Sequence, residues 1–267
     1  MENIFRATKG ESPSALAPCI VWKGENSPKV PPVTIILGLK GIDHAVLAAD
    51  TLETRGQNDG MYRQLTHKLQ KINGTWGIGV AASLDGLQIV RDFGQEKLDG
   101  LDDRTFIAVD QLSHQMLDAY RRKGFSEEAW FLLAGIESWN NHPFLWIWSF
   151  KKESGDVQIQ GPREVPSCNA IGACNHGALY FSKEFQRDSM SLEQNVLIGF
   201  HCVAEVAKHD VRVNRPIEIL TVTAAGVTIY QESQLPEFAS RSEKITATIF
   251  DCLSAEGLKL PKAAKQF

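Results

Sequence analysis

No CxxC pair, no apolar run of bilayer length and no glycine-rich phosphate loop occurs in this chain. The first absence removes the common zinc-ribbon and redox-dithiol motifs. The five cysteines, Cys19, Cys168, Cys174, Cys202 and Cys252, are scattered, as expected of reduced thiols in a cytoplasmic protein. The second absence removes a helical membrane span, which needs about 20 apolar residues. The opening residues also lack the charged-then-apolar order of a secretory leader. Nor is positive charge in excess: 28 Lys and Arg face 32 Asp and Glu, a formal net charge of −4. That balance gives no electrostatic reason to expect nucleic acid or an anionic membrane as partner. His201 and His209 stand eight residues apart on an expected helix and are read as structural, so neither a metal nor another cofactor is implied. Cys174-Asn175-His176 places a thiol beside an imidazole, but neighbours on a helix start seldom face each other.

The 267 residues are 43% hydrophobic and 22% charged, ordinary values for a chain with a sizeable core. Residues 1–33 differ from the rest. Lys9-Gly10-Glu11-Ser12-Pro13, Lys23-Gly24-Glu25-Asn26-Ser27-Pro28 and Pro31-Pro32 punctuate them, so they read as an extension. From there, 33–39 and 45–49 are apolar and β-rich around a turn at 41–44, a hairpin buried on both faces. Residues 53–66 read as a polar loop. Residues 69–72 and 76–82 form a second hairpin around Asn73-Gly74, a strong short-range turn signal.

Helical spacing of apolar residues predicts helices over 84–97 and 105–122. Strands follow at 129–135 and 143–150, where Phe144, Trp146, Trp148 and Phe150 share one face at period two. Such a stripe reads as a packed sheet face. Shorter strands are expected at 157–160 and 168–173, then helices at 177–185 and 192–208. Ser191 and Gln194 stand at capping-box spacing before the second of these. A hairpin over 217–223 and 227–231, a helix over 237–253 and a basic tail complete the chain. Hairpin blocks alternating with helix pairs predict an α+β fold, a four-layer αββα sandwich of two antiparallel sheets between helical layers.

Thr34-Ile35-Ile36-Leu37-Gly38, Leu47-Ala48-Ala49-Asp50-Thr51 and Lys68-Leu69-Gln70-Lys71-Ile72 fall in order in the first two hairpins. Ile171-Gly172-Ala173, and Asp210 before Arg215-Pro216-Ile217-Glu218, follow at matching places. In these segments and in element order the chain resembles a proteasome-type β-subunit of the N-terminal-nucleophile hydrolases, over about residues 33–231. The resemblance implies a catalytic set of Thr34, Asp50, Lys68, Asp210 and the Ala82 N–H. It implies a domain over 34–255, with 1–33 as extension or propeptide and 256–267 as tail. It also implies a threonine-type peptidase acting on peptides or unfolded protein in a homo-oligomeric ring, served by an ATP-dependent unfoldase.

The chemistry asks for these residue types. A threonine hydroxyl needs a base beside it. The α-amine of a first-residue threonine can supply one, because it titrates near pH 8. A nearby Lys⁺ lowers the hydroxyl pKa and favours the neutral amine. An Asp orients that Lys, and a backbone N–H receives the oxyanion. Three departures from the family pattern point to the alternative, a structural subunit that retains its extension. Val33 stands where a glycine normally precedes the threonine, Ala173 and Val213 replace serines, and Ala82-Ser83 replaces a glycine pair. A small-molecule amidase of the wider class is a third reading.

Overall fold

The computed structural model describes residues 34–57, 60–81, 87–90, 105–125, 128–153, 155–172, 175–210 and 213–254. The expected extension over 1–33, the tail over 256–267 and most of the helix expected over 84–97 lie outside them. Within that helix, residues 87–90 are helical, with Leu87, Ile89 and Val90 buried.

Two five-stranded antiparallel sheets form the centre. The first contains β1 (Ile36–Lys40), β2 (His44–Asp50), β10 (Cys168–Ile171), β11 (Ile217–Thr223) and β12 (Gly226–Gln231), in the order β10-β1-β2-β11-β12. The second contains β5 (Leu69–Lys71), β6 (Trp76–Ala81), β7 (Ala129–Ile136), β8 (Pro143–Glu153) and β9 (Asp156–Glu164), in sequential order. Helix α1 (Thr105–Arg122) covers the outer face of the second sheet. Helices α2 (Asn175–Phe185), α3 (Leu192–His209) and α4 (Pro236–Ser254) belong to the layer outside the first.

Three apolar clusters fill the gaps between these four layers. Between α1 and the second sheet lie Val109, Leu112, Met116 and Tyr120, packed on Phe131, Trp148 and Phe150. Phe131 stacks on Trp148 with centroids 5.3 Å apart, so the aromatic stripe is a packed sheet face. Between the sheets lie Ile36, Leu47, Ala49, Leu132, Leu145 and Leu220. Between the first sheet and its helices lie Ile35, Leu37, Val46, Phe200, Val203 and Ile219. Strand β2 is covered on both faces because alternate residues serve two clusters: Val46 and Ala48 meet the helices, Ala45, Leu47 and Ala49 the other sheet. A run apolar at every position is what two-sided burial demands.

The capping box at α3 forms: Ser191 N–H donates to Gln194 Oε1 at 2.9 Å, and Gln194 N–H to Ser191 Oγ at 3.3 Å. Cys168 and Cys202 are free and buried, and burial pushes the Cys202 thiol up to about 12, which keeps it protonated. His201 is buried against Ser242 Oγ at 2.9 Å; burial lowers its pKa. Among the described residues no helix is long and apolar enough to cross a membrane, and no His, Cys, Asp and Glu group could hold a metal ion.

One expectation is corrected. Residues 53–66 are largely not loop. They contribute to a separate two-stranded hairpin, β3 (Leu52–Gln57) paired with β4 (Gly60–Leu65). The sequence there lacks apolar alternation, so periodicity gives no strand signal; the ladder satisfies the backbone instead. The Asn73-Gly74 hairpin closes with a longer loop than two residues. Asn73 Oδ1 accepts Thr75 N–H at 2.9 Å, an Asx turn, and Trp76 O accepts from Ile72 N–H at 2.9 Å.

Close approach of the sheets depends on a missing side chain at Gly79. A Cβ there would lie 2.7 Å from Ile36 Cγ2, whereas one at Gly74 meets nothing within 4 Å. Gly79→Val is expected to cost about 1–3 kcal/mol by overpacking, and Gly74→Ala to stay within about 0.5 kcal/mol. Urea unfolding of the two variants checks the contrast.

Candidate active site

The candidate site lies where β1 begins, between the ends of the two sheets. Strand β2 ends at Asp50, next to the start of β1, because the two strands are antiparallel with Ile36 opposite Ala49. Lys68 stands immediately before β5 and is tied to the second sheet by Val80 N–H donating to its carbonyl at 3.0 Å. The ends of these strands therefore bring a carboxylate from the first sheet and an ammonium from the second to one point.

Asp50 Oδ1 accepts from Lys68 Nζ at 2.8 Å and from the Ile35 N–H at 3.0 Å. The Lys68 and Asp50 side chains are 2% and 0% exposed. A buried cation is tolerable with an anion and hydrogen bonds around it. The Ile35 N–H belongs to the peptide unit whose carbonyl is that of Thr34, so the carboxylate that holds the lysine also fixes the threonine. The opposite side of that peptide is held by Gly172. This residue has φ +103°, and a Cβ on it would lie 1.7 Å from the Thr34 oxygen. A side chain cannot occupy that space, and the backbone angle itself favours glycine. Thr34 is 3% exposed.

The other residues expected in the set fall as follows. Asp210 caps the C-terminus of α3, and its carbonyl accepts Val213 N–H at 2.9 Å. Val213 is buried in the same apolar cluster as Ile35, so a hydrophobic side chain packs where the family pattern has a serine. Ala82, Val33 and Ala173 lie outside the described residues. Strand β6 runs up to Ala81, which pairs in register with Trp130.

Sequence reasoning missed a second carboxylate at the site. Glu218, fully buried in β11, accepts Lys68 N–H on Oε2 at 3.3 Å and Gln231 Nε2–H on Oε1 at 2.8 Å. The same Oε1 meets His67 Nδ1, whose side chain is 68% exposed. Glu218 thus pins the Lys68 backbone while Asp50 pins its ammonium. Its signal was a charged residue inside the apolar run 217–222, on the face that Leu220 and Val222 turn toward the other sheet. Thr51 closes the same corner: its Oγ1–H donates to Pro216 O at 2.7 Å, and its carbonyl accepts Thr66 N–H at 2.7 Å.

A cavity of about 570 Å³ reaches Gly172, the residue packed against the Thr34 carbonyl. It opens between β8 and β9 of one sheet and β10 of the other, ending at Gly172 and reaching Trp130. It therefore runs from the residue against the Thr34 carbonyl to the register partner of Ala81.

A family model described as proteasome subunit matches residues 33–222 of the chain. That stretch spans both sheets up to β11 and contains Thr34, Asp50, Lys68 and Asp210. No curated protein matches the chain.

Breaking the buried pair from one side leaves an uncompensated charge. Asp50→Asn is expected to cost about 3–5 kcal/mol of stability. Asp50→Leu combined with Lys68→Met is expected to recover most of that loss, since apolar replacement of a whole buried pair is often near neutral. Chemical denaturation of Asp50→Asn and of the double variant measures the difference.

Proposed function

Because the chain belongs to the proteasome subunit family, we propose that it is a threonine-type peptidase whose nucleophile is Thr34 once residues 1–33 have been removed. The observation that carries this reading is the buried Lys68–Asp50 pair attached to the Thr34–Ile35 peptide. Such a pair contributes little stability compared with apolar side chains of similar volume. A site that holds one against a threonine is better accounted for by chemistry than by folding.

Residues 34–255 form the catalytic domain on this reading. In the maturation step the Thr34 hydroxyl adds to the Val33 carbonyl, and the acyl group passes from nitrogen to oxygen. Water then hydrolyses the ester, leaving the Val33 carboxylate and a free Thr34 amine. In turnover the amine takes the hydroxyl proton, directly or through water, as the oxygen attacks a peptide carbonyl. Lys68⁺ stabilises the developing alkoxide, and Asp50 keeps the ammonium oriented. The Ala82 N–H receives the oxyanion, a role open to alanine because only backbone acts. The leaving amine takes a proton, and water releases the acyl group from Thr34. Asp210, at the end of α3, supports the amine. Glu218 acts as a positioning residue through the Lys68 backbone.

The substrates are peptides or unfolded protein, and the working form is a homo-oligomeric ring whose chamber encloses the sites. An ATP-dependent unfoldase supplies chains to it, and the location is cytoplasmic.

Intact mass and N-terminal sequencing of the purified full chain test the reading. A new terminus at Thr34 is expected, with peptide hydrolysis that appears alongside it. Thr34→Ala abolishes both. A chain that keeps its first residues after long incubation, and hydrolyses no peptide, instead fits a structural subunit with a retained extension.

A further inference from the structure

Among the described residues, the cavity beside Gly172 is lined by two cations and no anion. Lys151, half-buried on β8, and Arg163, exposed on β9, both line it, and no described Asp or Glu does. Neither forms an ion pair with a described residue. The nearest acid in sequence, Glu164, is outside the lining and is held by Lys40 at 3.8 Å. Asn169 adds a donor: its Oδ1 already accepts Ala170 N–H at 2.8 Å, which leaves its NH₂. Trp130 and Ile147 supply apolar wall.

The placement follows from register. Ile147 opposes Arg163, and both stand on the face of the second sheet that turns toward the first. Lys151 follows two pleats beyond Ile147 on the same strand, so it shares that face. The first sheet contributes Asn169 to the same space, two residues from the cluster residue Ile171. Donors and positive charge thus line one space open at the sheet edges, and it reaches Gly172, the residue packed against the Thr34 carbonyl.

We infer that this cavity holds a peptide carboxylate next to the scissile bond, with Lys151 and Arg163 as the residues that select it. The inference rests on the peptidase reading for its substrate but not for its binding chemistry. A volume of about 570 Å³ falls within the range of about 300–1,000 Å³ typical of small-ligand sites. Arg163 can grip a carboxylate through two parallel N–H donors, and Lys151 acts as a point charge. The carboxylate comes either from an Asp or Glu side chain of the substrate or from its chain terminus.

Fluorescein-labelled peptides of one length distinguish these sources. One set carries Glu or Gln at each internal position; a second carries a free or an amidated C-terminus. Anisotropy titration against the purified full chain measures binding, and mass spectrometry of the same samples reads hydrolysis. An acidic peptide is expected to bind about fivefold to tenfold more tightly than its neutral partner, with the advantage shrinking as salt rises. Lys151→Met with Arg163→Met removes the advantage, whereas Lys151→Arg keeps it. An advantage confined to the Glu set assigns the side chain, and one confined to the free terminus assigns the chain end; either supports the inference. Equal binding of acidic and neutral peptides overturns it, even if both are cleaved. A charge preference without hydrolysis supports the carboxylate site and counts against the peptidase reading alone.

Discussion

One carboxylate oxygen, Asp50 Oδ1, joins the three parts of the candidate site. It receives the Lys68 ammonium from the second sheet and the Ile35 N–H from the first. Asp50 is itself the last residue of a strand buried on both faces. The oxygen is placed by core packing on two sides, and the packing of the sheets determines the distance between lysine and threonine. Any change in that packing changes the site. The small residues between the sheets, Gly79 and Ala49 among them, keep that distance short.

The site is also rigid from the other direction. Gly172 leaves no room behind the Thr34 carbonyl, and Glu218 fixes the backbone of Lys68. The Thr34–Ile35 peptide can neither rotate away from Asp50 nor retreat toward β10. Preorganisation of this kind is what electrostatic stabilisation of an alkoxide requires, because charged groups that must move to respond lose most of their effect. The exposed His67 ring links this buried network to the surface through Glu218.

Much of the architecture was legible in the sequence, because two-sided burial writes an unmistakable pattern. The continuous apolar runs at 35–39 and 45–49, the aromatic alternation at 144–150 and the helical spacing at 105–122 each led to the element found. The capping residues Ser191 and Gln194 marked the start of α3 to the residue. The hairpin β3–β4 was not legible, since its residues carry no apolar period. The Asp50–Lys68 contact was an implication of the family resemblance. The roles of Glu218 and Gly172 could not, because they depend on which strands become neighbours: β11 beside β2, and β10 beside β1. The charge of the cavity was equally hidden, as Lys151 and Arg163 lie on different strands and line one cavity only through the β8–β9 register.

The central claim is that a free Thr34 amine and its hydroxyl act together beside Lys68. A peptide epoxyketone tests this directly, because its ketone takes the hydroxyl and its epoxide takes a primary amine on the same residue. The measurement is mass spectrometry of the full-length protein after incubation with such a reagent, followed by digestion to locate the adduct. The account predicts one adduct, doubly attached to a peptide that begins at Thr34 and lost in Lys68→Met. An unmodified chain, or an adduct on any other residue, would contradict it.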